Sequence, residues 1–398
     1  MRIVEINTVS YGSTGKIMQK IAQCARNSGH QVYTFSRNWQ DSFQNENHFL
    51  IGSCTDNFLH QKLGVLTGRE GCYSRGATKK LIKQLNQISP DIIHLHNLHG
   101  WYLNLPMLFN YIKQNNIKII WTLHDCWTFT GHCPHFVMVH CEKWRTGCHH
   151  CPQCNSYPRS YIDSSKRMYR NKKRWFTGIQ NMTLVTPSHW LGELAKQSFL
   201  GEYPVQVIHN GIDLSIFSPR SNDFRKKYSC ENKFILLGVA FDWGKKKGLD
   251  VVIELSKRLN ESYQIVLVGT NDRVDTQLPK NIISIHRTQN QMELAEIYTS
   301  ADLFINPTRE ETYPTVNMES IACGTPVLTF RTGGSPEILN DKTGYVVDCD
   351  DIDAMEQEIM RISTMRPYIE SACLEHAKTF DMQNCFKEYV KLYEQYDN

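Results

Sequence analysis

Short apolar runs alternate with longer segments of helical periodicity along almost the whole chain, and that rhythm leaves few folds open. Strand-like runs fall at residues 3–7, 32–36, 91–96, 117–123, 184–187 and 205–209, then at 234–240, 264–269, 282–286, 303–306 and 326–330. A strand, a helical crossover and a second strand form a βαβ unit, which gives parallel sheets covered by helices on both faces. The expected class is α/β with doubly wound sheets. At 398 residues the chain exceeds the length over which one apolar core keeps growing, so two domains of roughly 200 residues follow. We place them at 1–200, with a Cys-rich insertion at 126–154, and at 201–375. Asn210-Gly211-Ile212-Asp213 reads as a turn near the boundary. Residues 376–398 form a terminal segment in which Phe386, Tyr389, Val390 and Tyr393 fall at helical spacing.

Apolar content of 41% and charged content of 21% describe an ordinary globular protein rather than a disordered one. Met1-Arg2-Ile3-Val4-Glu5-Ile6-Asn7 reads as a first strand and not a secretion leader, and no run approaches 18 apolar residues. A cytoplasmic protein is expected. A net charge of +4 permits anionic ligands or peripheral contact with a membrane surface and gives no argument for nucleic acid. Fourteen cysteines in a long chain without a leader point to reduced thiols or a metal, not to a disulfide framework.

Glu311 and Glu319, with seven residues between them, stand in Asn306-Pro307-Thr308-Arg309-Glu310-Glu311-Thr312-Tyr313-Pro314-Thr315-Val316-Asn317-Met318-Glu319. Pro307 and Pro314 stop regular structure, so Glu311 is expected on a loop. Thr315 reads as the N-cap of a helix that carries Glu319 in its first turn. A helix start reached from the carboxyl end of a strand offers free backbone N–H groups to a phosphate. Thr312, Tyr313, Thr315 and Val316 are candidate donor-binding residues on that ground. A solvated loop and a helix-capping acid are the plain alternative.

Glycine-containing turns follow the first strand of each half: Tyr11-Gly12-Ser13-Thr14-Gly15-Lys16, and Phe241-Asp242-Trp243-Gly244-Lys245-Lys246-Lys247-Gly248. The lysines are suited to a diphosphate, although such a run by itself is more often a solvated face. His124, at a strand end and followed by Asp125, carries two signals where His94, His96 and His99 carry one. Asp348-Cys349-Asp350-Asp351 reads as a turn opening a helix rather than a site for a catalytic metal.

These pieces, together with Gly324-Thr325-Pro326-Val327, Gly333-Gly334-Ser335-Pro336-Glu337 and Lys247-Gly248, resemble the retaining glycosyltransferases of family 4 over nearly the whole chain. Thr122-Leu123-His124-Asp125-Cys126-Trp127 and Gly147-Cys148-His149-His150-Cys151-Pro152 further resemble bacterial members that build capsular, colanic-acid-like or O-antigen polysaccharides. The resemblance implies a GT-B fold, two Rossmann-like domains facing a cleft, with the C-terminal helix crossing back to the first. It implies that Glu319 holds the ribose, Glu311 the donor sugar and Lys247 the diphosphate, with Lys245 nearby. His124 would lie beside the anomeric centre, Gly12 and Gly15 would let the backbone approach donor or acceptor, and backbone atoms near His286 and Arg287 would meet the base. The donor is a UDP-sugar or a GDP-sugar, the acceptor a polyprenyl-diphosphate-linked saccharide, and no cofactor is required for catalysis. Two departures stand out. Thr312-Tyr313-Pro314 replaces the usual glycines, and Asp242 replaces an arginine, leaving Lys245, Lys246 or an arginine from elsewhere to compensate.

Cys126, Cys133, Cys141, Cys148, Cys151 and Cys154 crowd together. Cys148 and Cys151 form a C-x-x-C knuckle, and with Cys133 and Cys141 they give four soft ligands for a structural zinc. Metal-free reduced or redox-active thiols are the other reading. Lys166, Arg167, Arg170, Lys172, Lys173 and Arg174 precede Trp175-Phe176, a basic helix with an aromatic end that could dock on the inner face of an anionic bacterial membrane or stand exposed. The other functional readings are a nucleotide-sugar epimerase, a sugar phosphorylase, a non-catalytic sugar-nucleotide or zinc interaction protein, and a glycosidase. The last needs two carboxylates flanking one bond, whereas Glu319 is expected to face ribose.

Overall fold

The structure is a computed structural model that describes residues 1–37 and 47–395. It divides into two units, one of residues 1–209 and the chain from Phe386 onward, the other Asn210–Cys385. Residues 201–209 therefore belong with the first unit and 376–385 with the second, which moves the expected boundaries by about ten residues. The reason is local pairing: a strand at Val205–Val207 joins the first sheet, while Ala377 and Phe380 lie in the apolar core of the second unit. Asn210-Gly211-Ile212-Asp213 is not a turn. Ile212 bridges Asp381, and a Cβ on Gly211 would fall 2.3 Å from the Met382 Cα.

The first unit holds β1 (Arg2–Ile6), β2 (Gln31–Ser36), β3 (His48–Leu50), β4 (Ile92–Leu95), β5 (Lys118–Thr122), β6 (Met182–Thr186) and β7 (Val205–Val207). Among the described residues they form one parallel sheet in the order β3-β2-β1-β4-β5-β6-β7. Central strands such as β4 (Ile-Ile-His-Leu) are buried throughout, as a parallel sheet covered on both faces requires. The helix Met382–Glu394 ends the described chain; Tyr389 and Tyr393 on it are buried in the first unit. Positions 396–398 of the expected terminal segment lie outside the described residues.

The second unit holds β8 (Phe234–Val239), β9 (Tyr263–Val268), β10 (Ile282–Ile285), β11 (Leu303–Asn306), β12 (Val327–Phe330) and β13 (Gly344–Val347). They form a parallel sheet in the order β10-β9-β8-β11-β12-β13. Both sheets reverse direction beside their first strand, between β1 and β4 and between β8 and β11. Loops leaving the carboxyl ends of strands at such a reversal diverge and leave a crevice, the standard place for a ligand in an open α/β sheet.

Candidate active site

At the reversal of the second sheet, the loop after β8 tightens into a 3-10 turn, Lys245–Lys247, and closes on Gly248 at φ +73. Glycine is required there for two reasons: the left-handed backbone, and the Pro307 carbonyl oxygen, which would lie 2.2 Å from any Cβ. This close approach brings the loop after β11 against the lysines. The Arg309 N–H donates to the Lys246 carbonyl at 2.8 Å. Lys247 Nζ then lies 2.6 Å from Glu311 Oε2, and Lys246 Nζ 2.7 Å from Glu310 Oε2.

Arg309 is the residue that sequence reasoning missed. Its guanidinium grips the Asp250 carboxylate with two bonds of 2.7 and 2.9 Å, reaches Asp350 at 2.6 Å and donates to the Lys245 carbonyl. Two carboxylates and a carbonyl occupy it, so it braces the lysine loop instead of replacing the arginine absent at Asp242. Asp350 serves this brace, and Asp351 caps the helix Ile352–Met365 by accepting from the Ala354 N–H at 2.9 Å, as the reading of that acidic cluster as a helix-opening turn requires.

The helix Thr315–Ala322 starts one residue earlier than expected. Pro314 is the N-cap, Thr315 is not, and no side chain caps the helix, so its first N–H groups keep no side-chain cap. Glu319 sits in the second turn, not the first, where Tyr298 Oη donates to its carboxylate at 3.2 Å. Burial, aided by the Glu319 charge, holds the Tyr298 hydroxyl well above its ordinary pKa, so it remains a donor. Gly333, at φ +55, lets the following loop press on Glu311: a Cβ there would be 1.7 Å from the Glu311 carbonyl oxygen, and the Gly334 N–H donates to the Thr312 carbonyl at 3.0 Å. Thr312 and Tyr313 are buried, with Tyr313 in the apolar core, while Thr315 and Val316 are half-buried and Lys245 and Arg287 exposed. Arg287 follows β10, next to His286, which Asp275 holds at 2.6 Å.

The first unit gathers a second set of groups at the ends of β1, β4 and β5. His124, 9% exposed, lies with Nε2 3.1 Å from His96 Nδ1, and His96 Nε2 lies 3.5 Å from the fully buried Glu5 carboxylate. Burial pushes both histidines down to about 3, so both are neutral near pH 7. The neighbouring acid does not serve His124: Asp125 bonds His99 at 2.9 Å. Although burial pushes Asp125 up, the charge and hydrogen bond of His99 hold it down at about 2. His94, His96 and His99 are all buried, and His94 is tied to Tyr393 Oη at 2.6 Å and Thr122 Oγ1 at 2.8 Å. Gly12, at φ +68, opens the helix Gly12–Asn27; Gly15 admits no Cβ because the Ser10 carbonyl carbon is 2.5 Å away.

None of the fourteen cysteines is in a disulfide. Cys133, Cys141, Cys148 and Cys151 line one cavity. Among the described residues, groups of three ligand atoms within 4.8 Å are Glu5, His94 and His96, and Asp272, Asp275 and His286; the cysteines are not among them. The basic helix, Ser165–Phe176, does not present its aromatic end: Trp175 and Phe176 are buried. Lys172 is buried too, its Nζ donating to the Trp127 carbonyl at 2.6 Å.

The family model for Glycosyltransferase Family 4 matches residues 15–216, and that for Glycosyl transferases group 1 matches residues 220–378. A protein described as a colanic acid biosynthesis glycosyl transferase, WcaC of Escherichia coli, is 22% identical over 99% of this chain and 100% of its own. Among solved structures, sucrose-phosphate synthase of Thermosynechococcus elongatus superposes with a TM-score of 0.72 at 17% identity, over 99% of this chain and 98% of that one. Anabaena HepE, solved with UDP and glucose, superposes at 0.70 and 13% identity, over 99% and 100%. The two parallel-sheet units are the Rossmann-like domains of the GT-B fold, and the chain belongs to glycosyltransferase family 4.

Proposed function

We propose that this glycosyltransferase transfers a hexose or N-acetylhexosamine, with retention, from a nucleoside-diphosphate sugar to a polyprenyl-diphosphate-linked saccharide in the assembly of a surface polysaccharide. The observation that carries the donor half is the 2.6 Å pair of Lys247 and Glu311, formed where β8 and β11 diverge and next to the start of an uncapped helix. A diphosphate anion takes the lysine and the helix N–H groups. Its arrival frees Glu311 to accept from sugar hydroxyls. Glu319, held by Tyr298, accepts from the ribose. UDP is favoured as the donor nucleotide because HepE was solved with UDP, and GDP is the alternative.

In this reading the bond from the anomeric carbon to the phosphate oxygen breaks first, and positive charge builds on the sugar. The acceptor hydroxyl then adds from the same face and passes its proton to the departing phosphate. Lys247 and the helix dipole stabilise the negative charge on the leaving diphosphate, and His124 takes the place the resemblance gives it, beside the anomeric centre. The polysaccharide setting is supported by the full-length similarity to WcaC.

Peripheral membrane contact moves to a different helix. Cys54–Thr67 buries Asn57, His60 and Gly64 and exposes Phe58, Leu59, Leu63 and Leu66, each at least 41% accessible. Such an inverted helix makes an apolar patch that water alone does not favour. Lys62 lies over Phe58 and Arg159 over Tyr161, so basic groups accompany the apolar ones, as an anionic bilayer requires. No helix of the described residues is long and apolar enough to cross a membrane.

The test is turnover of UDP- and GDP-sugars with a lipid-linked acceptor, reading the anomeric configuration of the product by NMR. An inverted product, or none with any such donor, removes the reading.

A further inference from the structure

From residue 130 to residue 164 the sole regular element is the 3-10 turn Lys143–Arg145. So long an irregular stretch in a compact domain is unusual, and fixing each of its residues costs about 1–2 kcal/mol of backbone entropy. It is nevertheless well packed, since Phe136 and Trp144 within it are 4% and 1% exposed and belong to the core of the first unit. Those two aromatic rings share the walls of one cavity with Cys133, Cys141, Cys148 and Cys151.

We infer that these four thiols form a zinc site that clips the segment closed. Cys148 and Cys151 supply the knuckle, Cys133 and Cys141 the other two ligands, and the Gly131 N–H already donates to Cys148 Sγ at 3.2 Å, the outer contact that steadies a metal-bound thiolate. Tetrahedral zinc with bonds of about 2.3 Å places its sulfurs about 3.8 Å apart. Because no three of the sulfurs lie within 4.8 Å of one another here, closure on the ion requires side-chain rotation. Cys141, Cys148 and Cys151 are half-buried on the wall of that cavity.

A second observation fits the charge of the site. Lys172, 1% exposed, holds its Nζ 3.2 Å above the Trp127 ring; burial lowers its pKa, and Glu70, Cys148 and Cys133, when ionised, act in the opposite direction. A buried cation needs anions nearby. Zinc bound by four thiolates carries a net negative charge beside it. Binding releases the thiol protons to solvent and leaves the sulfurs reduced.

The test is metal analysis of the reduced full chain purified without chelator. About one zinc per chain is expected, lost in Cys148→Ser combined with Cys151→Ser and kept in Cys349→Ser, an exposed cysteine of the second unit. Should the double variant not fold, cobalt added to chelator-treated wild type is expected to give the strong sulfur-to-metal absorption of a tetrahedral thiolate site. A chain without zinc that also gives no such absorption overturns the site. Zinc retained by a folded double variant overturns it as well, by placing the ion elsewhere, for example at Glu5, His94 and His96.

Discussion

Lys247 and Glu311, 64 positions apart in sequence, meet at 2.6 Å in the second unit. In the proposed function each holds the partner that a donor would replace: the lysine would exchange a carboxylate for a diphosphate, and the carboxylate an ammonium for sugar hydroxyls. Because both side chains are partly exposed, at 33% and 21%, the pair itself is worth no more than about 1 kcal/mol, and a dianionic ligand displaces it readily.

Glu311→Gln keeps the shape of the loop but removes the charge. Transfer is expected to slow by about 100-fold, the scale of losing one group that stabilises developing charge, while the dissociation constant for UDP changes by less than about threefold. Steady-state kinetics beside calorimetric titration of UDP separates the two effects.

Glu319→Ala removes the acceptor bonded by Tyr298 at 3.2 Å. A hydrogen bond to a charged group contributes about 1.5–3 kcal/mol, so nucleotide affinity should fall about 10- to 100-fold, with a smaller effect on turnover at saturating donor. An unchanged UDP affinity removes the ribose role.

Arg309→Met leaves Asp250 and Asp350 without their cation and removes the guanidinium bond to the Lys245 carbonyl. The guanidinium is only 8% exposed but its partners are 50% and 56% exposed. Screening there lowers the loss to about 1–3 kcal/mol, below that of a fully buried pair. A chemical melt should show that loss together with weaker UDP binding, because the loop that presents Lys247 is no longer braced.

Acid should destabilise the first unit below pH 6.5. Burial depresses His60, His96 and His124 to about 3, His48 and His132 to about 4, and His94 well below its ordinary value. Between 6.5 and those values the unfolded chain binds protons the native state refuses, and each such histidine removes about 1.4 kcal/mol per pH unit. Glu5 and Glu70, raised by burial, work the other way but offer at most one native proton each above 4.5. The net result is loss of stability on acidification, read as a falling urea midpoint from pH 7 to pH 5. A constant midpoint contradicts it.

The alternating pattern made the two parallel sheets legible, because buried strands such as β8 (Phe-Ile-Leu-Leu-Gly-Val) and β11 (Leu-Phe-Ile-Asn) carry unbroken apolar runs between turn residues. β3 escaped because it has only three residues at a sheet edge, and β13 because Gly344 and Tyr345 precede just two valines. Position beyond strand ends marked Glu311, Glu319 and the lysine run 245–247 as candidates, and the family resemblance singled out Lys247. It could not reveal that Asp125 serves His99 and not its neighbour His124, or that Arg309 spans to Asp250 and Asp350, since those partners are brought together only by the sheet order. The burial of Trp175 and Phe176 was hidden for a related reason. Charge density marked Ser165–Phe176, but amphipathic orientation depends on what each face packs against, and Cys54–Thr67 turns its leucines outward.

The most direct measurement is the titration of UDP and GDP into the wild-type chain and into Lys247→Ala. Saturable binding of one nucleotide to the wild type, weakened about 10- to 100-fold by the substitution, is the expected result for a diphosphate held by this ammonium. Equal affinities for the two chains, or no binding of either nucleotide to the wild type, would contradict the assignment of the donor site to the Lys247 and Glu311 pair.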